Sequence, residues 1–169
     1  MFQIGEKIFY PVHGAGIIEA IETKEILGEE HKYYVMKISS VDMRVLVPVE
    51  KAEQVGVRII CDVGKLEEVR HVLTTPFSNW DENWNRRYRI HMDKIKSGDI
   101  CELAEVVRNL TLRDGKKGLS AGEKKMLDNS RKILLSEIIL AADVSLEHAT
   151  EELDSLLVKA GKHLEQDAD

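Results

Sequence analysis

The sequence predicts an α+β, two-domain chain: a small β module followed by an all-α helical bundle. Three observations predict it. Apolar residues run or alternate at strand-like lengths up to about residue 60, then recur at helical spacing from residue 64 onward. Turn formers punctuate the first part and helix caps the second. Charge is divided in the same way. The whole chain of 169 residues is acidic, with 24 Lys and Arg, 30 Asp and Glu and a net charge of −6. Residues 84–132 hold 13 Lys/Arg and 7 Asp/Glu, a local +6, which leaves −12 for the remainder.

Residues 6–60 carry the β signal. "KIFYPVHGAGIIEAIETKEI" (7–26) has a β-branched run after a proline and two glycines. "HKYYVMKIS" (31–39) and "MRVLVPV" (43–49) alternate or run apolar, and Gly28, Ser39, Ser40 and Asp42 mark the breaks. Four or five short strands in about 60 residues predict a small barrel or a strongly bent sheet, because a lone hairpin of that size is marginal.

The period then changes. "GKLEEVRHVLTT" (64–75) puts Leu66, Val69, Val72 and Leu73 on one helical face, and Pro76 stops it. A second helix is expected from about 80 to 97, ending at Gly98. A third starts at Asp99, with Glu102 in capping-box position. Ser120 to Glu123, "SAGE", is another capping box and opens a long helix through Ala142. A last helix is expected over about 145–160. The module boundary falls near 52–62.

Composition and motifs exclude several function classes. Apolar content is 43 %, charged content 32 %, and no apolar run approaches the roughly 20 residues that span a bilayer. "MFQIGEKIFY" lacks a signal-peptide pattern, and cytoplasmic residence is expected. Cys61 and Cys101 form no CxxC and read as reduced thiols. The six histidines stand at no metal-ligand spacing, so neither metal nor cofactor is expected. "GKKGLSAGEKK" (115–125) resembles a phosphate loop but reads GEK where a Walker motif needs GK[ST] after a strand. With no nucleophile elbow either, no catalytic residue is assigned and the chain is not expected to be an enzyme.

"NWDENWNRRYRI" (79–90) is the exception in an acidic chain. Both tryptophans, Trp80 and Trp84, lie beside Arg86, Arg87, Tyr88 and Arg89. A tryptophan here is either a packing anchor, because it buries much apolar area, or a platform that stacks on exposed bases. Helical phase puts Arg86 and Arg89 on one face and points Arg87 away, so one of the three can pair internally. A second basic cluster, including Lys124, Lys125 and Arg131, lies at or near the start of the long helix, where backbone amides also favour phosphate. Neither cluster has sequence-reading features, so contact to DNA backbone and shape is expected. A stand-alone nucleic-acid module and a pure protein adaptor with buried tryptophans remain open at this level.

"GEKIFYPVHGAGIIEAIET", "VPVEKAEQVGVR", "NWNRRYRIHMDKIKSGD", "LAEVVRNLTLRD" and "GLSAGEKKML" together resemble the CarD/CdnL family of bacterial transcription regulators, over about residues 1–160. The resemblance implies a Tudor-like (SH3-like) β-barrel domain over 1–55 that binds the RNA polymerase β subunit. It implies a 56–61 linker, a helical DNA-binding domain over 62–160 and a disordered tail at 161–169. It places the minor-groove wedge on Trp84, since "NWNRRY" fits the family motif and "NWDENW" does not. It gives Trp80 no role. DNA contacts are expected from Arg86, Arg87, Arg89, Lys124, Lys125 and Arg131, and polymerase contacts around Lys24, Ile26, Arg44 and Leu46. Some relatives carry arginine where this chain has Leu46, and Arg44, on the same strand face, is the substitute. The implied function is stabilisation of the open promoter complex, and a monomer is sufficient for both contacts.

Overall fold

In the computed structural model, which describes residues 1–168, the first 60 residues fold as five antiparallel strands. They are β1 (Lys7–Tyr10), β2 (Gly14–Ile26), β3 (Glu29–Ile38), β4 (Arg44–Pro48) and β5 (Arg58–Ile59), in spatial order β4-β3-β2-β1-β5. Leu27 and Gly28, both at positive φ, make the two-residue turn between β2 and β3. The 13-residue β2 bends at a bulge between Ile18 and Ala20, which wraps the sheet around its own core. Ile8, Ile18, Tyr34, Met36, Ile38 and Val47 fill that core. Gly16 is obligatory in β2: a Cβ there would lie 2.1 Å from the Lys37 carbonyl oxygen on β3.

Five helices follow, each started by a side-chain cap. Asp62 caps α1 (Val63–Thr74), Asn83 caps α2 (Trp84–Lys96) and Asp99 caps α3 (Ile100–Lys116). Ser120 caps α4 (Ala121–Ala142) and Ser145 caps α5 (Leu146–Asp167). Val106, Val107 and Leu110 of α3, Leu134 of α4 and Leu153 of α5 form the centre of the helical core.

Four expectations need correction. Helix α2 begins at Trp84 rather than near 80, because Asn83 takes the extended cap conformation. Asp99 accepts from the amides of Cys101 and Glu102, but the reciprocal bond from Glu102 is not made, so only Ser120–Glu123 completes a capping box. Arg58 and Ile59, expected in a linker, form β5 and pair with β1. Helix α5 continues past 160 to Asp167, where the expected tail was to begin. The extension is packed: Leu164 joins the cluster around Trp80, and His163 Nδ1 lies 3.0 Å from the Thr74 carbonyl.

The two modules are clamped together along α4. Phe9 and Ala15 of the sheet sit in the helical core cluster. The Ala15 amide donates to Ser136 Oγ at 2.8 Å, and Ser39 Oγ donates to the Ser136 carbonyl at 2.7 Å. Glu137, fully buried, receives a two-pronged bond from Arg58 of β5 at 2.7 and 3.0 Å, plus the Cys61 amide. Arg58 also donates to the Gly98 carbonyl and stacks over Phe9 at 4.3 Å. Removing one member of a buried pair costs about 3–5 kcal/mol. Arg58 keeps some solvent contact, so Glu137→Ala is expected to cost about 3 kcal/mol in urea unfolding; a loss under about 1 kcal/mol would show that the clamp is dispensable.

Candidate nucleic-acid interface

The site is built where the N-termini of α2 and α4 meet. Asn83 Oδ1 accepts the Arg86 amide at 3.0 Å, which makes Trp84 the first residue of α2. One helical turn on, Tyr88 stacks under the Trp84 indole, with ring centroids 5.1 Å apart and an interplanar angle of 23°. The indole lies beside Gly122 of α4, where a Cβ would lie 3.7 Å from Trp84 Cζ2. The indole N–H donates to Ser120 Oγ at 2.9 Å. Trp84 is nonetheless 41 % exposed, a large aromatic held at the surface.

Beneath it lies a buried ion pair. Arg87 and Glu123 are 5 % and 1 % exposed, with Arg87 Nε donating to Glu123 Oε1 at 2.6 Å. Glu123 Oε2 accepts the Ser120 amide and hydroxyl, and Arg87 Nη1 donates to the Asp81 carbonyl. Burial works to raise the Glu123 carboxyl, but the bonds from Arg87 and Ser120 outweigh it and hold it below the usual carboxylate range. Ser120 therefore links the surface indole to the buried pair.

His91, one turn beyond Arg87, is buried, and burial pushes its imidazole down to about 4. The neighbouring Glu123 carboxylate opposes that shift, while Lys94 and Arg87 add to it.

The predicted DNA-facing residues fall into three groups. Trp84, Arg86, Arg89, Lys124 and Lys125 are exposed at the starts of α2 and α4. Arg86 lies 3.2 Å from Asp81, an exposed pair of little net strength; Arg89, Lys124 and Lys125 have no ion pair among the described residues. Arg87 is the correction: it is the internally paired arginine and offers no surface to a partner. Arg131 stands apart, its guanidinium 2.8 Å from Asp154 on α5. Trp80 is a packing anchor, 8 % exposed, donating to the Asn109 carbonyl at 2.8 Å and packed edge-on against Phe77.

The β module carries the second candidate surface. Lys24 and Ile26 pair with His31 and Glu29, and Arg44 and Leu46 pair with Lys37 and Val35. All four partners are odd-numbered β3 residues, so Lys24, Ile26, Arg44 and Leu46 share the outer face of the sheet. All four are exposed, and β4 is an edge strand. Arg44 bonds Glu19 at 2.8 Å on this face.

Among the described residues no three His, Cys, Asp or Glu side chains are grouped to hold a metal ion, and no helix is long and apolar enough to cross a membrane. Burial first, and then Glu137, push the Cys61 thiol up to about 12, so it is not a thiolate at neutral pH.

Comparison with known proteins agrees with this division. Residues 2–61 match the family described as "CarD-like/TRCF RID domain", and residues 68–154 match "CarD, C-terminal domain". The chain is 47 % identical over 138 residues to "Putative transcription factor YdeB" of Bacillus subtilis (strain 168). That alignment covers 82 % of this chain and 90 % of the relative.

Two outcomes test this geometry. Ser120→Ala removes both a helix cap and the indole partner. In a Trp80→Phe background it is expected to cost about 1 kcal/mol and to red-shift Trp84 emission; unchanged emission would show that the indole is not held. His91 is neutral in the fold, so its contribution is complete above the unfolded value near 6.5 and fades as pH falls towards 4. Urea unfolding is expected to lose about 2 kcal/mol between pH 7 and 5, and His91→Asn should flatten that slope; equal slopes would assign it elsewhere.

Proposed function

This chain belongs to the CarD family of transcription factors, and on that premise we propose that it stabilises the open promoter complex. The observation that carries the proposal is the exposed Trp84, stacked on Tyr88 and tethered to Ser120 amid unpaired cations. A surface indole fixed in this way is a stacking platform, and base–aromatic stacking is worth about 1–3 kcal/mol per base. Unstacking a base step costs a few kcal/mol. The wedge therefore favours DNA that another factor is already melting, at the upstream edge of the bubble.

That factor is RNA polymerase. The match of residues 2–61 to the CarD-like/TRCF RID domain supports polymerase interaction. The outer sheet face with Lys24, Ile26, Arg44 and Leu46 is the proposed contact with the β subunit. Arg86, Arg89, Lys124 and Lys125 then hold phosphates beside the minor groove, without reading sequence. Arg87 acts indirectly, by fixing Glu123 and Ser120 beneath the wedge. Tethering to polymerase raises the effective concentration at the promoter, so weak affinity for free DNA is enough and a cytoplasmic monomer suffices.

Interaction energy placed only on the melted state shifts the closed–open balance, and about 1.4 kcal/mol changes it tenfold. The regulatory sign depends on the promoter: an unstable open complex gains, and one limited by escape slows. With cognate polymerase on an unstable promoter, the protein is expected to lengthen open-complex lifetime several-fold. Trp84→Ala should abolish the effect and Trp80→Phe should retain it. If Trp84→Ala lengthens the lifetime as the wild type does, the wedge is wrong and adaptor function through the sheet takes its place.

A further inference from the structure

A cavity of about 610 Å³ lies where the β module meets the helices. Val12 and His13 of the β1–β2 turn and Val41 and Met43 of the β3–β4 connection face α2 and α4 across it. The volume is that of small-ligand sites, which favour junctions between domains. Of its lining residues only Lys125 is also among the proposed DNA contacts, and none is a proposed polymerase contact.

Its chemistry is selective. Ile95, Met126 and Ile133 contribute buried apolar walls, while Val12, Val41 and Met43 leave an exposed apolar rim. In a chain with 30 acidic residues, none of the lining residues is Asp or Glu. Lys125 and Lys132 line it instead, seven residues apart on one side of α4, and neither has an ion pair among the described residues. Ser130 is fully buried in the lining, and its Oγ has no hydrogen-bond partner. A buried hydroxyl left unpaired is costly and rare. At the rim, Val12 is a β-branched residue at φ 72, a conformation such residues seldom adopt.

We propose that this cleft binds a small amphipathic anion. Its apolar body packs against Ile95, Met126 and Ile133, its acidic head is held by Lys125 and Lys132, and Ser130 supplies one hydrogen bond. The buried apolar walls favour a small molecule over a nucleic-acid strand, whose charged backbone gains nothing from them. Tyr88 lines the cleft and also carries the Trp84 indole, so an occupant touches the platform on which the proposed wedge rests.

The test uses the full chain and two fluorescent probes with the same kind of aromatic body: 1-anilinonaphthalene-8-sulfonate, an anion, and the uncharged N-phenyl-1-naphthylamine. The sulfonate is expected to bind one per chain, to raise the melting temperature and to bind about tenfold tighter than the neutral probe, as one charge-assisted hydrogen bond would give. Lys132→Glu should remove that preference, and Ser130→Leu, which fills the cleft, should remove binding while circular dichroism is unchanged. Trp84→Ala should bind the probe normally, so this site stands or falls separately from the wedge. Equal affinity for the two probes, binding unaffected by Lys132→Glu, or a lowered melting temperature would overturn the proposal. So would displacement of the sulfonate by duplex DNA but not by dodecanoate, which would assign the cleft to the DNA path.

Discussion

The Arg87–Glu123 pair is the constraint on which the geometry of the Trp84 platform depends. Both charges are out of water, and such a pair repays its desolvation only when its remaining hydrogen-bonding capacity is satisfied. Here both Glu123 oxygens are taken, by Arg87 on one and Ser120 on the other, and Arg87 also holds the Asp81 carbonyl. The pair therefore fixes three things at once, the N-termini of α2 and α4 and the loop that enters α2. Ser120, already committed to Glu123, is left with its oxygen facing the Trp84 N–H. An indole whose one polar atom is satisfied and whose face is stacked can stay at the surface without rotamer freedom. If Trp84 is the proposed wedge, ordering it in advance lowers the entropy lost on insertion.

Helix α4 ties this arrangement to the rest of the chain. Its first turn holds the indole, and Ser136 and Glu137 hold the sheet. From Ser120 to Glu137 is 17 residues, about 26 Å of helix axis at 1.5 Å per residue. One element thus sets the distance between the proposed DNA contact and the sheet that carries the proposed polymerase contact. The net positive charge of residues 84–132, within an acidic whole, concentrates any attraction for a polyanion in the region of the proposed wedge.

Local signals were legible in the sequence where local physics decides. The β-then-α order, the Ser120–Glu123 capping box and the helix break at Gly98 follow from patterns a few residues long. Helical period set Arg87 apart from Arg86 and Arg89 without saying which of the three pairs internally, and whether Trp84 is an anchor or a surface platform stayed open until the fold placed it. What escaped depends on partners distant in sequence. Glu123, 36 residues from Arg87, reads as a cap until α2 and α4 are brought together. Arg58 reads as linker until β1 supplies a pairing edge and Glu137 a counter-charge. The end of α5 reads as a polar tail until Leu164 finds Trp80. Nothing in the local sequence distinguishes the unpaired Lys125 from Arg131, which Asp154 neutralises across helices.

The wedge is tested most directly by a base analogue at the upstream edge of the bubble. With 2-aminopurine at that position in an open complex formed by cognate polymerase, an inserted indole stacks on the probe and quenches it. Quenching by the wild type that Trp84→Ala fails to produce, while both proteins bind the complex equally, is the expected result. Equal fluorescence with the two proteins bound would contradict insertion of Trp84 at that step.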